Sequence, residues 1–203
     1  MIIDLDRLQA AVKERLSEKR FLHTVGVKEM AILLGRACLP DDLSELGAAA
    51  LLHDITKECD AEAQLYMLRE LGQEATAEDM KSPAILHSYT APYVILRDFS
   101  ELATPQILSA VKKHTAGDAE MSVFDKIIFI SDFIERGRSY PACIETRNFL
   151  LSSLDEGKRE DNVRSLTLAC IMAIDFTIEN LKSKEKSIHP TTLMARNALA
   201  SEI

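Results

Sequence analysis

The chain has 203 residues, with 24 Lys and Arg against 32 Asp and Glu, for a net charge of −8. Hydrophobic residues make up 47% and charged residues 28%, a globular composition with length enough for a buried core. An acidic chain with seven Phe, four Tyr and no Trp lacks the broad basic surface that nucleic acid or an anionic membrane requires, and taken alone the charge also argues against anionic substrates.

Helix formers dominate, and only seven Gly and six Pro interrupt them, so the chain reads as all-α and as one compact domain over residues 1–203. A charged first helix covers 4–18; its acids stand where a signal peptide carries basic residues, which argues against export. The second covers 20–38, with His23, Val27, Met30 and Leu34 recurring on one face, and Pro40 stops it. Ser44 caps a third helix, 44–55, in which Leu46, Ala49, Ala50 and His53 share a face. A fourth, 61–71, ends at Gly72. Ser82-Pro83 opens a fifth, running to Arg97, and Thr104-Pro105 repeats the device for a sixth that ends near His114, ahead of Gly117. Ser122 opens a seventh to Glu135; helices over 141–153 and 161–183 and a short one after Pro190 complete the set. No apolar run reaches the ~18–20 residues that span a bilayer. Cys38, Cys59, Cys143 and Cys170 are scattered, which fits reduced thiols in a cytoplasm.

Several polar residues fall on faces that periodicity assigns to the core. His53 completes a stripe with Leu46, Ala49 and Ala50, and His114 does the same with Ile107, Ala110 and Val111. In the seventh helix Asp125, Ile128, Phe129 and Asp132 share a face, and Asp132 sits within KIIFISDFI. An ionised carboxylate is costly to bury unless it is paired or binds a metal. Asp54 follows His53 directly, and His23 and His87 add two more inward imidazoles. Imidazole with carboxylate suits Zn, Fe, Mn, Ni or Co, and helical bundles build such sites from facing helices. Six ligands exceed one closed tetrahedral site and suit two ions sharing a carboxylate.

In chain order, His23, His53-Asp54, His87, His114 and Asp132 resemble the H…HD…D signature of the HD-domain metal-dependent phosphohydrolase superfamily, over residues 18–136. The two further histidines mark its dinuclear members. The segments RFLHTVGV (20–27), LLHDITK (51–57), ILHSYTAPYV (85–94), KKHTAGDAEMSVFDKIIFISDFIERGRSYP (112–141) and IHPTTLMARN (188–197) are similar to the bacterial YqeK family, across nearly the whole chain. One departure is Thr56, where that family carries a small residue such as Ala.

The resemblance implies an HD bundle with its metal-binding core in 18–136 and the helices of 141–203 packed on it. It implies symmetrical hydrolysis of diadenosine tetraphosphate to two ADP by a metal-bound hydroxide at a dinuclear site, with iron as the metal; the residues themselves leave Mn, Co, Ni and Zn open. His23, His53, Asp54 and Asp132 would hold one ion, and His87 and His114 the second, with Asp54 bridging. Asp54, Lys57 and Arg20 form the expected catalytic set, and Arg20, Lys57 and Arg138 the expected phosphate contacts. Arg138 matches the family pattern better than Arg136, and Lys112 and Lys113, which flank His114, stay outside the site. Asp125 reads as a residue of its helix's first turn, His189 as closing the chain end onto the bundle, and Tyr89, Met67 and the apolar stripe of 163–181 as core. The expected partner is a small nucleotide polyphosphate, with a homodimer open. The alternatives are an HD phosphohydrolase for other nucleotides or alarmones, a non-catalytic binding module, and a purely structural metal.

Overall fold

Two helices rich in apolar side chains form the centre of the computed structural model, which describes residues 3–203. The helices are α1 (Leu5–Lys13), α2 (Glu18–Cys38), α3 (Leu43–Leu52), α4 (Ala61–Glu70), α5 (Ala77–Lys81), α6 (Leu86–Asp98), α7 (Pro105–Lys113), α8 (Val123–Ile134), α9 (Pro141–Ser153), α10 (Arg159–Ser183) and α11 (Pro190–Ser201). Short 3-10 turns precede α3, α6 and α7, and no strand occurs among the described residues. From Leu46 to Leu52 every residue of α3 is buried, and α8 is buried from Phe124 to Ser131. A helix without a polar face has nothing to show to water, so other helices must surround it. Around this pair, α2 packs on both α3 and α8, α7 on both, and α10 on α8 and α2. Each buried Leu or Ile contributes about 1.5–3 kcal/mol relative to exposure. No described helix is long and apolar enough to cross a membrane.

The caps decide where helices end, and here the structure corrects the sequence reading in places. The first helix does not reach residue 18: α1 stops at Lys13, and Ser17 takes the N-cap of α2, accepting from the Arg20 amide (3.3 Å). At α3 the N-cap position is Asp42 rather than Ser44, and the helix ends at Leu52. His53-Asp54 therefore lies at the head of tight turns held by the Ile55 amide on Leu52 (3.2 Å), Lys57 on Asp54 (2.9 Å) and Cys59 on Thr56 (3.1 Å). Ser82 makes no side-chain cap; Pro83–Ile85 is a 3-10 turn and α6 starts at Leu86. The short α5, absent from the sequence reading, is held by a capping box in which Thr76 and Asp79 exchange hydrogen bonds.

Other expectations match their positions. Thr104 and Ser122 cap α7 and α8 through the amides of Ile107 and Asp125. Gly117 has φ +73°, and a Cβ there would stand 2.8 Å from Ala195, so α7 needs glycine to turn away beneath α11. The inner face of α10, with Leu166, Ala169, Cys170, Ala173 and Ile174, joins the core, and Met67 packs at its edge. Tyr89 is a correction: it is half-buried and lines a cavity of about 330 Å³ with Asp79, Lys112, Lys113 and His189. All four cysteines are free thiols.

Candidate metal centre

The two central helices deliver the acids. Asp54 stands just past the His53 C-cap of α3 and is 2% exposed; Asp132 lies in the last turn of α8 with its side chain 22% exposed. Four helices deliver imidazoles to the same point: His23 from α2, His53 from the end of α3, His87 from the first turn of α6 and His114 from the end of α7. All six side chains expected as ligands come together.

Their orientation follows from the outer nitrogen of each ring. The Nδ1–H of His53 donates to the carbonyl of Ala50 (2.7 Å), that of His87 to Ala84 (2.8 Å) and that of His114 to Val111 (2.7 Å). A carbonyl only accepts, so each Nδ1 carries a proton, and in the neutral ring that a metal requires each Nε2 presents a lone pair inward. His23 is held differently, its Nδ1 lying 3.3 Å from a carboxylate oxygen of Glu135.

Asp54 divides its oxygens between two groups. Its Oδ2 lies 3.7 Å from His23 Nε2 and 3.4 Å from His53 Nε2; its Oδ1 lies 3.0 Å from His87 Nε2 and 3.5 Å from His114 Nε2. Asp132 Oδ1 is 3.0 Å from His23 Nε2 and 3.9 Å from His53 Nε2.

The donors fit metal ions. The Nε2 atoms of His23 and His53 are buried with no properly aligned hydrogen bond. The Nε2 atoms of His87 and His114 face each other at 2.9 Å although both rings carry their protons on Nδ1. Two lone pairs so close repel unless a cation, or a donor such as the Thr115 hydroxyl at 3.1 and 3.0 Å, lies between them. A separation near 3 Å is also that of two ligands at right angles on one ion at about 2.0–2.1 Å. His23, His53 and Asp132 form one compact group, and His53, Asp54 and His114 another. No cysteine joins either group among the described residues, which favours metals that accept imidazole and carboxylate.

In the metal-free cluster the two sides differ in charge. Burial pulls His23 down, but the carboxylates of Asp132 and Glu135 outweigh it and raise its pKa to about 9. His87, pushed down chiefly by burial, falls to about 4 and is neutral, as a ligand must be. Asp54 and Asp132 stay ionised: burial opposes this, and the surrounding imidazoles, with Arg138 for Asp132, override it.

Three expected cations surround this floor. Arg20 donates to Asp54 Oδ2 at 2.6 Å and Arg138 to Asp132 Oδ1 at 2.8 Å, while Lys57 Nζ stands 3.2 Å from His87 Nε2. Burial lowers the Lys57 pKa. A groove of about 910 Å³ opens over His23, lined by Arg20, Arg138, exposed Arg136, Leu22 and Tyr140. Lys112 is exposed, and Lys113 serves α8 by bonding Asp125 (3.3 Å) and the Glu120 carbonyl. Asp125 belongs to the capping box of α8, and His189 caps α11 while meeting Asp79 at 3.2 Å. Thr56 donates to the His87 carbonyl (2.9 Å), tying the His53-Asp54 turn to α6.

Two residues escaped the sequence reading. Glu135, 4% exposed, stands behind His23. Arg147 of α9 pins the turn carrying Glu135 and Arg138 by donating to the carbonyls of Ile134 (2.6 Å), Glu135 (2.7 Å) and Arg138 (2.7 Å). Each is a lone charge in a helical context, and the one available cue is the pair of glycines, Gly26 and Gly137, that leave room for Glu135.

An all-helical bundle whose helix ends converge four imidazoles and two carboxylates is the architecture of an HD-type, divalent-metal-dependent hydrolase. The chain superposes over its whole length, TM-score 0.83 and 27% identity, on the whole of a "predicted HD superfamily hydrolase involved in NAD metabolism" from Clostridium acetobutylicum. It is 30% identical over 193 residues to a symmetrical bis(5'-nucleosyl)-tetraphosphatase of Halalkalibacterium halodurans, covering 94% of each chain. It is 29% identical over 192 residues to that of Bacillus subtilis, covering 95% of each. No family model matches. The chain belongs to the family of symmetrical bis(5'-nucleosyl)-tetraphosphatases.

Proposed function

We propose that the enzyme cleaves dinucleoside tetraphosphates, diadenosine tetraphosphate among them, at the middle of the phosphate bridge, releasing two nucleoside diphosphates. His23, His53 and Asp132 would hold one divalent ion and His87 and His114 the other, with Asp54 shared. The observation that carries this reading is the division of Asp54, one oxygen facing each histidine pair. When bound, two such ions supply an acidified water and charge neutralisation for in-line displacement at phosphorus.

The chain's own residues supply the rest. Arg20 and Arg138 stand at the two carboxylates on the groove side, where their guanidinium groups can turn from Asp54 and Asp132 to phosphate oxygens. Lys57 adds a third cation on the His87 side. Net negative charge is therefore compatible with an anionic substrate, because the positive groups gather at one mouth. The nucleoside diphosphate leaves as a stabilised phosphate anion, so no strong general acid is required. The groove continues past Arg138 to Tyr140 and Leu22, giving one nucleoside end a place outside the buried floor. Iron is the proposed metal on the family resemblance alone; a nitrogen–oxygen donor set without thiolate accommodates it and equally Mn, Co, Ni or Zn. The free thiols support a reducing, cytoplasmic setting. Chromatography of products from diadenosine tetraphosphate and from NAD, with and without chelator, tests the reading. ADP as sole product from the first, and no cleavage of the second, is the expected result.

A further inference from the structure

Three of the four converging histidines are held by backbone carbonyls three residues earlier, and His23 alone is held by a carboxylate. The setting of that carboxylate is built for it. Glu135 is 4% exposed, and one oxygen lies 3.3 Å from His23 Nδ1 while the other accepts the amide of Gly137. A Cβ on Gly26 would stand 2.6 Å from Glu135 Oε2, and one on Gly137 would stand 2.9 Å from it. Any larger residue at either position must displace the carboxylate. Arg147 anchors the Glu135 carbonyl from α9, so the backbone is fixed as well.

The opposite histidine pair has no such acid. His87 has the Lys57 ammonium 3.2 Å from its Nε2 and 3.3 Å from its Nδ1, whereas the cations on the His23 side, Arg20 and Arg138, are each paired with a carboxylate, Asp54 and Asp132. A carboxylate behind a ligating imidazole fixes its tautomer and raises its basicity, whereas a nearby ammonium opposes a cation.

We propose that Glu135 is a positioning residue that holds His23 as a metal ligand and makes the His23–Asp132 position the tighter of two unequal metal positions. This rests on the dinuclear reading above. The Gly26–Gly137 cradle and the Glu135 charge are two routes to the same effect. Mn²⁺ titration of metal-free full-length protein by calorimetry, with metal per chain counted after dialysis against graded chelator, tests it. Wild type binds in two steps. Glu135→Ala and Gly26→Ala each weaken the tighter step about 10–100-fold and leave the weaker step unchanged, and Glu135→Gln, which keeps the shape, falls between. Gly26→Ala also improves intrinsic helix propensity within α2, so its loss of affinity does not follow from a weaker helix. Two equal steps in wild type, or variants that fold by circular dichroism and bind as wild type does, overturn the proposal. A single ion per wild-type chain overturns the dinuclear reading, and Glu135 is then judged on whether Gly26→Ala weakens that one ion.

Discussion

Asn162 and His53 are both buried polar residues, and the fold treats them in opposite ways. Asn162, in the C-terminal half, has every side-chain group satisfied: its oxygen accepts the Asp155 amide (2.9 Å), and its nitrogen donates to the carbonyls of Asp155 (2.9 Å) and Ala37 (3.2 Å). Lys126, 3% exposed, is likewise paired with Thr167 (3.2 Å) and the Glu202 carboxylate. Around His53 the outer nitrogens are satisfied, but the Nε2 atoms of His53 and His23 are buried without an aligned hydrogen bond, and four inner nitrogens crowd the two carboxylates at one point. A buried polar group that finds a partner specifies the fold. One whose partner is missing specifies a ligand.

That contrast predicts different losses in the two regions. Asp54→Asn removes the charge shared by both histidine pairs, so turnover should fall by about 10³-fold or more with metal content, while circular dichroism shows a folded chain. Arg138→Ala and Arg20→Ala leave the imidazoles in place and should cost about 10–100-fold in kcat/KM for the dinucleotide, with metal content retained. Asn162→Ala should do the reverse. Stripped of three hydrogen bonds, the C-terminal half loses about 2–3 kcal/mol in denaturant melts, with kcat per folded molecule unchanged. Loss of turnover in Asn162→Ala at intact stability would erase the distinction.

Another prediction concerns pH. In the metal-free chain His23 binds its proton more tightly than an unfolded histidine, its pKa rising from 6.5 to about 9. Its contribution to stability is full below pH 6.5 and is lost as pH rises through about 9. Between those values, the metal-free wild type should lose more thermal stability than metal-free His23→Asn does. Loaded with metal, His23 has already given up the proton, and the difference should vanish.

The candidate ligands were legible because each interrupts an otherwise apolar face: His53 with Leu46 and Ala49, His114 with Ile107 and Val111, Asp132 within α8. Caps that use side chains at the predicted place, Thr104 and Ser122, were legible too. Ser44 was misread because many polar residues can cap and tertiary packing chose Asp42, whereas Ser82 does hold the N-cap position ahead of Pro83, but of a 3-10 turn and without a side-chain bond. The His53-Asp54 pair was assigned to a helix because its spacing continues the stripe of α3; only the tight turns of residues 53–58 show that both side chains leave the helix end together. Glu135 was hidden because its partner His23 is 112 residues away and nothing local requires the contact.

The most direct test of the central claim uses the metal-loaded enzyme with unlabelled diadenosine tetraphosphate in water enriched in ¹⁸O, its products separated by chromatography and weighed by mass spectrometry. The account predicts ADP as the only nucleotide product, half of it carrying one ¹⁸O, with no turnover in chelator or in Asp54→Asn. ATP and AMP as products, or undiminished turnover in Asp54→Asn, would contradict it.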